Sequence, residues 1–199
     1  MRFFSLAQIS RHWWGSEEEA TLRAANRRLR ALCEQNIFAQ KSVSVVRELS
    51  LKGPVFLWEP GQKAPHFGKL SWQLQRRWSG TPVPTKIYEI GQAGLSEFGG
   101  RKGGPKRIAH IRHDLHMGTV YLALVKADST VKNRWISEDE LAPHRKHQKL
   151  PDGMLRKNET EPTTVIEFGG AYDAEHVESF HQDCESRELN YQILSLIHI

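Results

Sequence analysis

The stretch K-L-P-D-G-M-L-R-K-N-E-T-E-P-T-T-V-I-E-F-G-G, Lys149 to Gly170, decides the fold of the second half of the chain. It places Asp152 after a proline and Glu167 fifteen residues later, inside an apolar run. The pattern predicts two short strands, Gly153 to Arg156 and Thr163 to Phe168. Carboxylates on neighbouring strands supply the oxygen ligands that Mg²⁺ prefers. Asp152 and Glu167 are therefore a candidate pair of Mg²⁺ ligands.

Further elements surround this acidic pair in a regular order. The patterns predict a helix before a strand at Arg134 to Ser137, a short helix after it, a helix at Asp173 to Glu188, and a last strand at Tyr191 to Ile193. This order resembles the restriction-endonuclease (PD-(D/E)XK-like) core, and the resemblance implies that Asp152 and Glu167 face one cavity. In that core a lysine two residues after the second acid orients or deprotonates the attacking water. Gly169 stands at that position here.

Several interpretations of the acidic pair remain open. In the first, Lys149 or Lys157 reaches the cavity from a neighbouring position and hydrolysis is retained. In the second, Asp152 and Glu167 bind a metal such as Mg²⁺ without productive cleavage. We favour a third, a nuclease-like scaffold without catalysis, because useful rates of phosphodiester hydrolysis need a group that activates water. In the fourth, P-D-G is only a turn and Glu167 is an exposed strand residue.

The first half of the chain carries the parts of a winged helix-turn-helix. Phe4 to Trp14 predicts a short helix with Trp13 on its packing face. Ser16 followed by Glu19 matches a capping box, so a second helix is expected from Ser16 to about Gln35. Asn36 is expected to end it in the left-handed conformation. The runs I-F-A-Q-K-S-V-S-V-V-R-E-L and P-V-F-L-W-E-P then predict a β-hairpin.

Cationic side chains recur on one face of the second predicted helix. Arginine and asparagine read guanine and adenine edges in the major groove, so four residues are predicted to contact DNA: Arg23, Asn26, Arg27 and Arg30. Lys41 and Arg47 on the hairpin are expected to touch phosphate. The alternative is a solvated helix face paired with the acids at its start.

Charge divides the chain. Through Arg112 there are 19 Lys and Arg against 8 Asp and Glu, and from His113 onward there are 9 against 15. A strongly basic half indicates a polyanion partner. The glycine-rich run Gly99 to Arg107 is the clearest break between the halves. The sequence therefore predicts domains at 1–98 and 108–193, with a linker at 99–107.

The motifs together resemble the replication-relaxation family. In the first half these are Q-I, A-N-R-R-L-R-A-L, the predicted hairpin and Y-E-I-G-Q-A-G-L. In the second half they are I-R-H-D-L-H, R-W-I-S-E-D-E-L, L-P-D-G, V-I-E-F and H-V-E-S-F-H-Q-D-C-E-S-R-E-L-N-Y-Q-I. The resemblance implies an α+β protein with an N-terminal winged helix-turn-helix domain followed by an α/β restriction-endonuclease-like (PD-(D/E)XK-like) domain.

The same resemblance implies a function and the extent of the chain. It implies binding to double-stranded DNA and a role in the replication or mobilisation of a plasmid-like element, with replication or mobilisation proteins or a second copy as partners. It also implies that the first helix of the winged helix is missing. The tail L-S-L-I-H-I, residues 194–199, is expected to be non-native.

The composition excludes other classes of protein and leaves two alternatives. No apolar run approaches the roughly 18 residues that span a bilayer, so a cytoplasmic protein without a membrane partner is expected. Cys33 and Cys184 lack the spacing of a zinc set. His110, His113 and His116 drift by about 60° per step around a helix and would not converge well on one ion, which argues against a zinc site. The alternatives are a metal-dependent DNA endonuclease (nickase) using Asp152 and Glu167, and a winged-helix transcription regulator.

Overall fold

The computed structural model is a mixed α+β protein, and it describes residues 2–46, 51, 53–76, 81–99, 108–145, 148–156 and 164–195. The helices are α1 (Leu6–Trp14), α2 (Glu19–Glu34), α3 (Phe67–Gln75), α4 (Gln92–Phe98), α5 (Ile108–Ala127), α6 (Val131–Arg134), α7 (Glu138–Leu141) and α8 (Ala174–Glu185). The strands are β1 (Phe4–Ser5), β2 (Phe38–Val46), β3 (Pro54–Trp58), β4 (Pro82–Ile90), β5 (Trp135–Ser137), β6 (Gly153–Leu155), β7 (Thr164–Phe168) and β8 (Tyr191–Leu194). Among the described helices, none is long and apolar enough to cross a bilayer.

Two compact units make up the chain. Unit 1 comprises Met1–Glu48 and Gly80–Leu122, and unit 2 comprises Leu49–Ser79 and Ala123–Ile199. This division differs from the predicted ranges 1–98 and 108–193, because the segment that carries β3 and α3 belongs with the second half of the chain. Residues 100–107 of the predicted linker lie outside the described residues.

Unit 1 contains a three-stranded antiparallel sheet in the order β1-β4-β2. β2 pairs with β4 along its whole length, from Phe38 opposite Ile90 to Val46 opposite Pro82. The predicted hairpin between β2 and β3 is therefore wrong. β3 pairs with β8 instead, and the fully buried Trp58 stacks there on Tyr191 with ring centroids 5.5 Å apart. A local hairpin with β2 would not provide that aromatic contact.

The first two helices begin differently from the sequence prediction. A capping box is present at α1, where the Ser5 hydroxyl accepts from the Gln8 backbone and the Gln8 side chain accepts from the Ser5 backbone. The box predicted at Ser16 and Glu19 is wrong. The N-cap of α2 is Glu18, which has no side-chain cap. The Ser16 hydroxyl instead accepts from the Glu18 N–H at 3.3 Å and shares a hydrogen bond with the Thr21 hydroxyl at 3.0 Å.

The end of α2 agrees with the sequence prediction. Asn36 has a φ of 55°, which confirms the predicted left-handed residue after the helix. The helix itself ends at Glu34, one residue before the predicted end.

Unit 2 contains a five-stranded sheet in the order β3-β8-β7-β6-β5. The β5–β6 and β6–β7 pairs are antiparallel, whereas β7 and β8 are parallel and α8 connects them. All four strands predicted in this half are confirmed to within one or two residues. Its core joins side chains of the sheet with side chains of α3 and α8, including Trp58, Leu74, Val165, Phe180 and Tyr191.

Two residues of the predicted non-native tail, Leu194 and Ser195, are among the described residues. Leu194 is buried and pairs with both Pro54 and Phe168, and Ser195 is also buried. These two residues therefore belong to the fold. Residues 196–199 of the predicted tail lie outside the described part of the chain.

Candidate nucleic-acid interface and acidic pair

The arginines of α2 project into solvent. Ala25 and Leu29 are buried on the inner face of the helix, at 0% and 3% exposure. The helical repeat turns the remaining faces outward, and four arginines there are exposed: Arg23, Arg27, Arg28 and Arg30. The helix therefore presents guanidinium groups to solvent, as the sequence predicted.

Few acids neutralise these arginines. Arg23 forms an ion pair with Glu19 at 2.8 Å, but both side chains are more than 70% exposed, so this pair contributes little stability. Within the part of the chain that the structure describes, Arg27, Arg28 and Arg30 have no carboxylate within 4.0 Å. Three cations of α2 thus keep their charge without an acidic partner among those residues.

Asn26 lies beside a cation that the sequence reasoning missed. The Nζ atom of Lys86, on β4, donates to the Asn26 side-chain oxygen at 3.2 Å. Lys86 is exposed, whereas its neighbour Ile87 is fully buried. The run T-K-I-Y-E-I gave no signal for this contact, because Lys86 lies on the same strand face as the buried Tyr88. The edge of α2 and strand β4 therefore form one polar surface.

Of the two cations predicted on the hairpin, Lys41 and Arg47, the structure describes only Lys41. Lys41 forms an ion pair with Glu89 on the adjacent strand, and its ammonium lies 5.7 Å from the centre of the Phe3 ring. Its charge is therefore already partnered, although the side chain remains about half exposed. Arg47 lies outside the described residues.

The structure brings Asp152 and Glu167 together at the ends of β6 and β7. The Asp152 backbone N–H donates to Glu167 Oε2 at 3.4 Å, and the Phe168 N–H donates to Asp152 Oδ2 at 2.8 Å. Glu167 is 8% exposed, so it is not the exposed strand residue of the fourth interpretation. Each acid therefore accepts a hydrogen bond from the strand that carries the other.

A third side chain, Tyr172, completes this cluster. Its hydroxyl donates to Glu167 Oε1 at 2.6 Å, and its ring stacks on His176. Burial raises the pKa of the Tyr172 phenol above its ordinary value, and the negative charges of Glu167 and Asp152 raise it further. The phenol therefore stays protonated and serves as a fixed donor to the carboxylate.

These contacts bear on the predicted magnesium site. Both oxygens of Glu167 and one of Asp152 accept from protein N–H or O–H donors. Across the described ranges, no group of three or more His, Cys, Asp or Glu side chains could hold a metal ion. Three of the four carboxylate oxygens of the pair therefore already have a protein donor.

The position of the absent lysine is closed by packing. A Cβ atom on Gly169 would lie 2.5 Å from Leu74 Cδ2 and 2.9 Å from Ile193 Cγ2, both closer than such contacts occur. Leu74 is fully buried. A lysine at this position would require the side chains of Leu74 and Ile193 to shift.

Two cationic side chains line a small cavity beside Glu167. Lys149 and Arg145 line a cavity of about 80 Å³ together with Glu167 and Tyr172. The Lys149 ammonium donates to the His176 carbonyl at 3.4 Å, and Arg145 donates to the Lys149 carbonyl at 3.0 Å. The cavity has room for a few waters but not for a nucleotide. Lys157, the other predicted substitute, lies outside the described residues.

Comparison with known proteins gives no relative for this chain: no protein-family model, no curated protein and no solved structure matches it.

Proposed function

We propose that this protein binds double-stranded DNA through α2 and acts in the replication or mobilisation of a plasmid-like element, as the family that its sequence resembles does. The observation that carries the proposal is the set of exposed α2 arginines, three of which have no acidic partner among the described residues: Arg27, Arg28 and Arg30. Such cations release condensed counterions when they neutralise phosphates, which supplies most of the affinity of proteins for DNA.

The architecture of unit 1 supports a winged-helix assignment. Two consecutive helices, α1 and α2, lie between strands β1 and β2 of an antiparallel sheet in the order β1-β4-β2. The strands β2 and β4 take the place of the predicted hairpin as the wing. An α-helix fits the major groove of B-DNA, and Lys86 on β4 is placed to contact phosphate beside it. Asn26, whose amide oxygen already accepts from Lys86, retains its amide N–H groups for a base edge.

The topology of unit 2 supports a restriction-endonuclease-like assignment, and we propose that this unit is not catalytic. Two antiparallel strands carry the acids, and a helix returns the chain to a parallel strand. The water-activating lysine is absent, its space is occupied by Leu74, and the two carboxylates accept from protein donors. Unit 2 then serves binding or assembly.

One observation favours a second candidate function, a metal-dependent DNA endonuclease. Lys149 lines the same cavity as Glu167, so a modest movement of its side chain would bring an amine to the acids. We expect no cleavage, because the Lys149 ammonium donates to the His176 carbonyl instead.

A nicking assay separates the two functions. Supercoiled plasmid is incubated with the protein and Mg²⁺ or Mn²⁺, beside the Asp152→Ala and Lys149→Ala variants. We expect all three proteins to leave the plasmid supercoiled. Nicking by the wild-type protein that both variants lose would establish the endonuclease and overturn the non-catalytic assignment.

DNA binding is tested directly by fluorescence anisotropy. A labelled duplex of about 20 base pairs is titrated with the protein at several salt concentrations, with unlabelled single strand as competitor. We expect saturable binding that weakens as salt rises and that the single strand displaces poorly. Absence of binding to the duplex at low salt would refute the proposed function.

A further inference from the structure

Unit 1 contains a second surface beside the proposed DNA contact. A groove of about 770 Å³ opens between α1, α2 and the sheet. Its α1 side carries Ile9, Trp13 and Trp14, and its base includes Phe38 and Tyr88. Trp13 is 62% exposed and Trp14 is 39% exposed, although the sequence predicted Trp13 on the packing face. Two large exposed apolar side chains beside an apolar groove indicate a site for another molecule.

The α2 side of the groove has the spacing of a helix-packing surface. Ala24, Arg27, Arg28 and Ala31 line it, at positions i, i+3, i+4 and i+7 of one helix face. The two alanines are small enough for a second helix to approach closely, between the raised side chains of the tryptophans and arginines. An amphipathic helix that lies in a groove between two helices makes this kind of contact. The shape therefore fits a helix.

The charge at the border of the groove favours an acidic helix. Arg27 and Arg28 border the groove, and in the described part of the chain neither has a carboxylate within 4.0 Å. Arginine binds carboxylates with two parallel hydrogen bonds, whereas a basic helix would be repelled. Arginine and tryptophan are also the residues that most often dominate the energy of protein interfaces.

We propose that the groove between α1 and α2 docks an acidic amphipathic α-helix of a partner protein. The apolar face of that helix covers Trp13 and Trp14, and its carboxylates pair with Arg27 and Arg28. Arg23, Asn26 and Arg30 do not line the groove. The partner helix and a DNA duplex would therefore share Arg27 and Arg28, whereas the other three residues would contact DNA alone.

The test uses three labelled 16-residue peptides as probes. The first is a helix with leucines at i, i+3, i+4 and i+7 spacing and glutamates elsewhere. The second carries lysines in place of the glutamates, and the third has the composition of the first in a scrambled order without an apolar face. Fluorescence anisotropy against the full chain is expected to show at least tenfold tighter binding of the acidic helix than of either control peptide.

Two variants locate the binding. Trp13→Ala with Trp14→Ala is expected to weaken binding of the acidic peptide at least tenfold, while its affinity for duplex DNA stays unchanged. Arg28→Glu, an exposed substitution that leaves the apolar groove intact, is expected to weaken the acidic peptide and strengthen the basic one. Circular dichroism confirms that both variants fold.

Three outcomes would overturn the inference. One is equal binding of the three peptides, and another is unchanged affinity in the tryptophan variant. The third is a wild-type dimer in sedimentation experiments that becomes a monomer in the tryptophan variant. A second copy of the chain would then cover the groove. Peptide binding and DNA binding are measured in separate assays. A protein that fails to bind the acidic peptide can therefore still bind DNA, and one that fails to bind DNA can still bind the peptide.

Discussion

At Gly169 the chain passes between Leu74 and Ile193 without room for a side chain. We predict that Gly169→Ala lowers the free energy of unfolding by about 1–3 kcal/mol, the usual cost of an extra group in a packed core. The matched control is Gly170→Ala, where a Cβ atom would meet only Tyr172 Cε1, at 4.0 Å. Urea denaturation of both variants makes the comparison. Equal stability of the two variants would show that Leu74 does not close this position.

Tyr172 gives a prediction about alkaline pH. Because burial and the two carboxylates raise its pKa, the folded protein holds this proton above the ordinary tyrosine pKa of about 10, while the unfolded chain releases it. Its contribution to stability is therefore complete below pH 10 and is lost as pH rises further. We expect stability to fall less between pH 8 and pH 11 in Tyr172→Phe than in wild type, as measured by urea denaturation. An equal fall in both would contradict the assignment.

The acidic pair could be predicted from sequence, but its surroundings could not. Asp152 and Glu167 stand at the ends of short apolar runs, and adjacent strands bring such ends together. Tyr172 reaches Glu167 through the turn after β7, and Leu74 comes from a helix far earlier in the chain. Neither contact has a local signal. The missing lysine was visible in the sequence, whereas the packing that closes its position was not.

At the scale of the element, two serines compete as helix caps in the sequence. Both S-L-A-Q at Ser5 and S-E-E-E at Ser16 fit the capping-box pattern. Of these two serines, only Ser5 caps a helix, because a second set of contacts also holds the Gln8 side chain in place. The Gln8 amide donates to the Leu115 carbonyl at 2.5 Å and to the Thr119 hydroxyl at 2.8 Å. A long-range contact therefore selects between two equivalent local patterns.

This difference is measurable. Ser5→Ala is expected to destabilise the protein by about 0.5–2 kcal/mol, as loss of an N-cap does. Ser16→Ala removes a comparable hydroxyl that caps no helix, so we expect a change within about 0.5 kcal/mol. Thermal or urea unfolding of the pair provides the test. A larger loss in Ser16→Ala than in Ser5→Ala would favour the start of α2 predicted from sequence.

Strand pairing shows the same limit of sequence reasoning. The positions of the strands in the second half followed from apolar runs and turn residues, and the structure confirms them. The partner of β3 did not follow, because the nearest strand in sequence, β2, offered the simplest hairpin. Its actual partner, β8, lies near the other end of the chain, and only the stacking of Trp58 on Tyr191 reveals the preference.

At the scale of the whole molecule, the two units differ less in net charge than the two halves of the sequence do. Unit 1 carries 14 Lys and Arg against 8 Asp and Glu, a balance of +6, and unit 2 carries 14 against 15, a balance of −1. The two halves of the sequence suggested a stronger contrast, because the basic segment that contains β3 and α3 belongs to unit 2. Unit 1 remains the cationic unit, and its described helix α2 concentrates four exposed arginines.

The most direct test of the account is the salt dependence of DNA affinity when Arg23, Arg27 and Arg30 are all replaced by alanine. The control replaces three exposed lysines of unit 2: Lys63, Lys69 and Lys132. The slope of log affinity against log salt is measured for a labelled duplex. We predict that the arginine variant loses about 2 to 3 from the magnitude of the slope, while the lysine control keeps the wild-type slope. A wild-type slope in the arginine variant would contradict the claim that α2 contacts the DNA backbone.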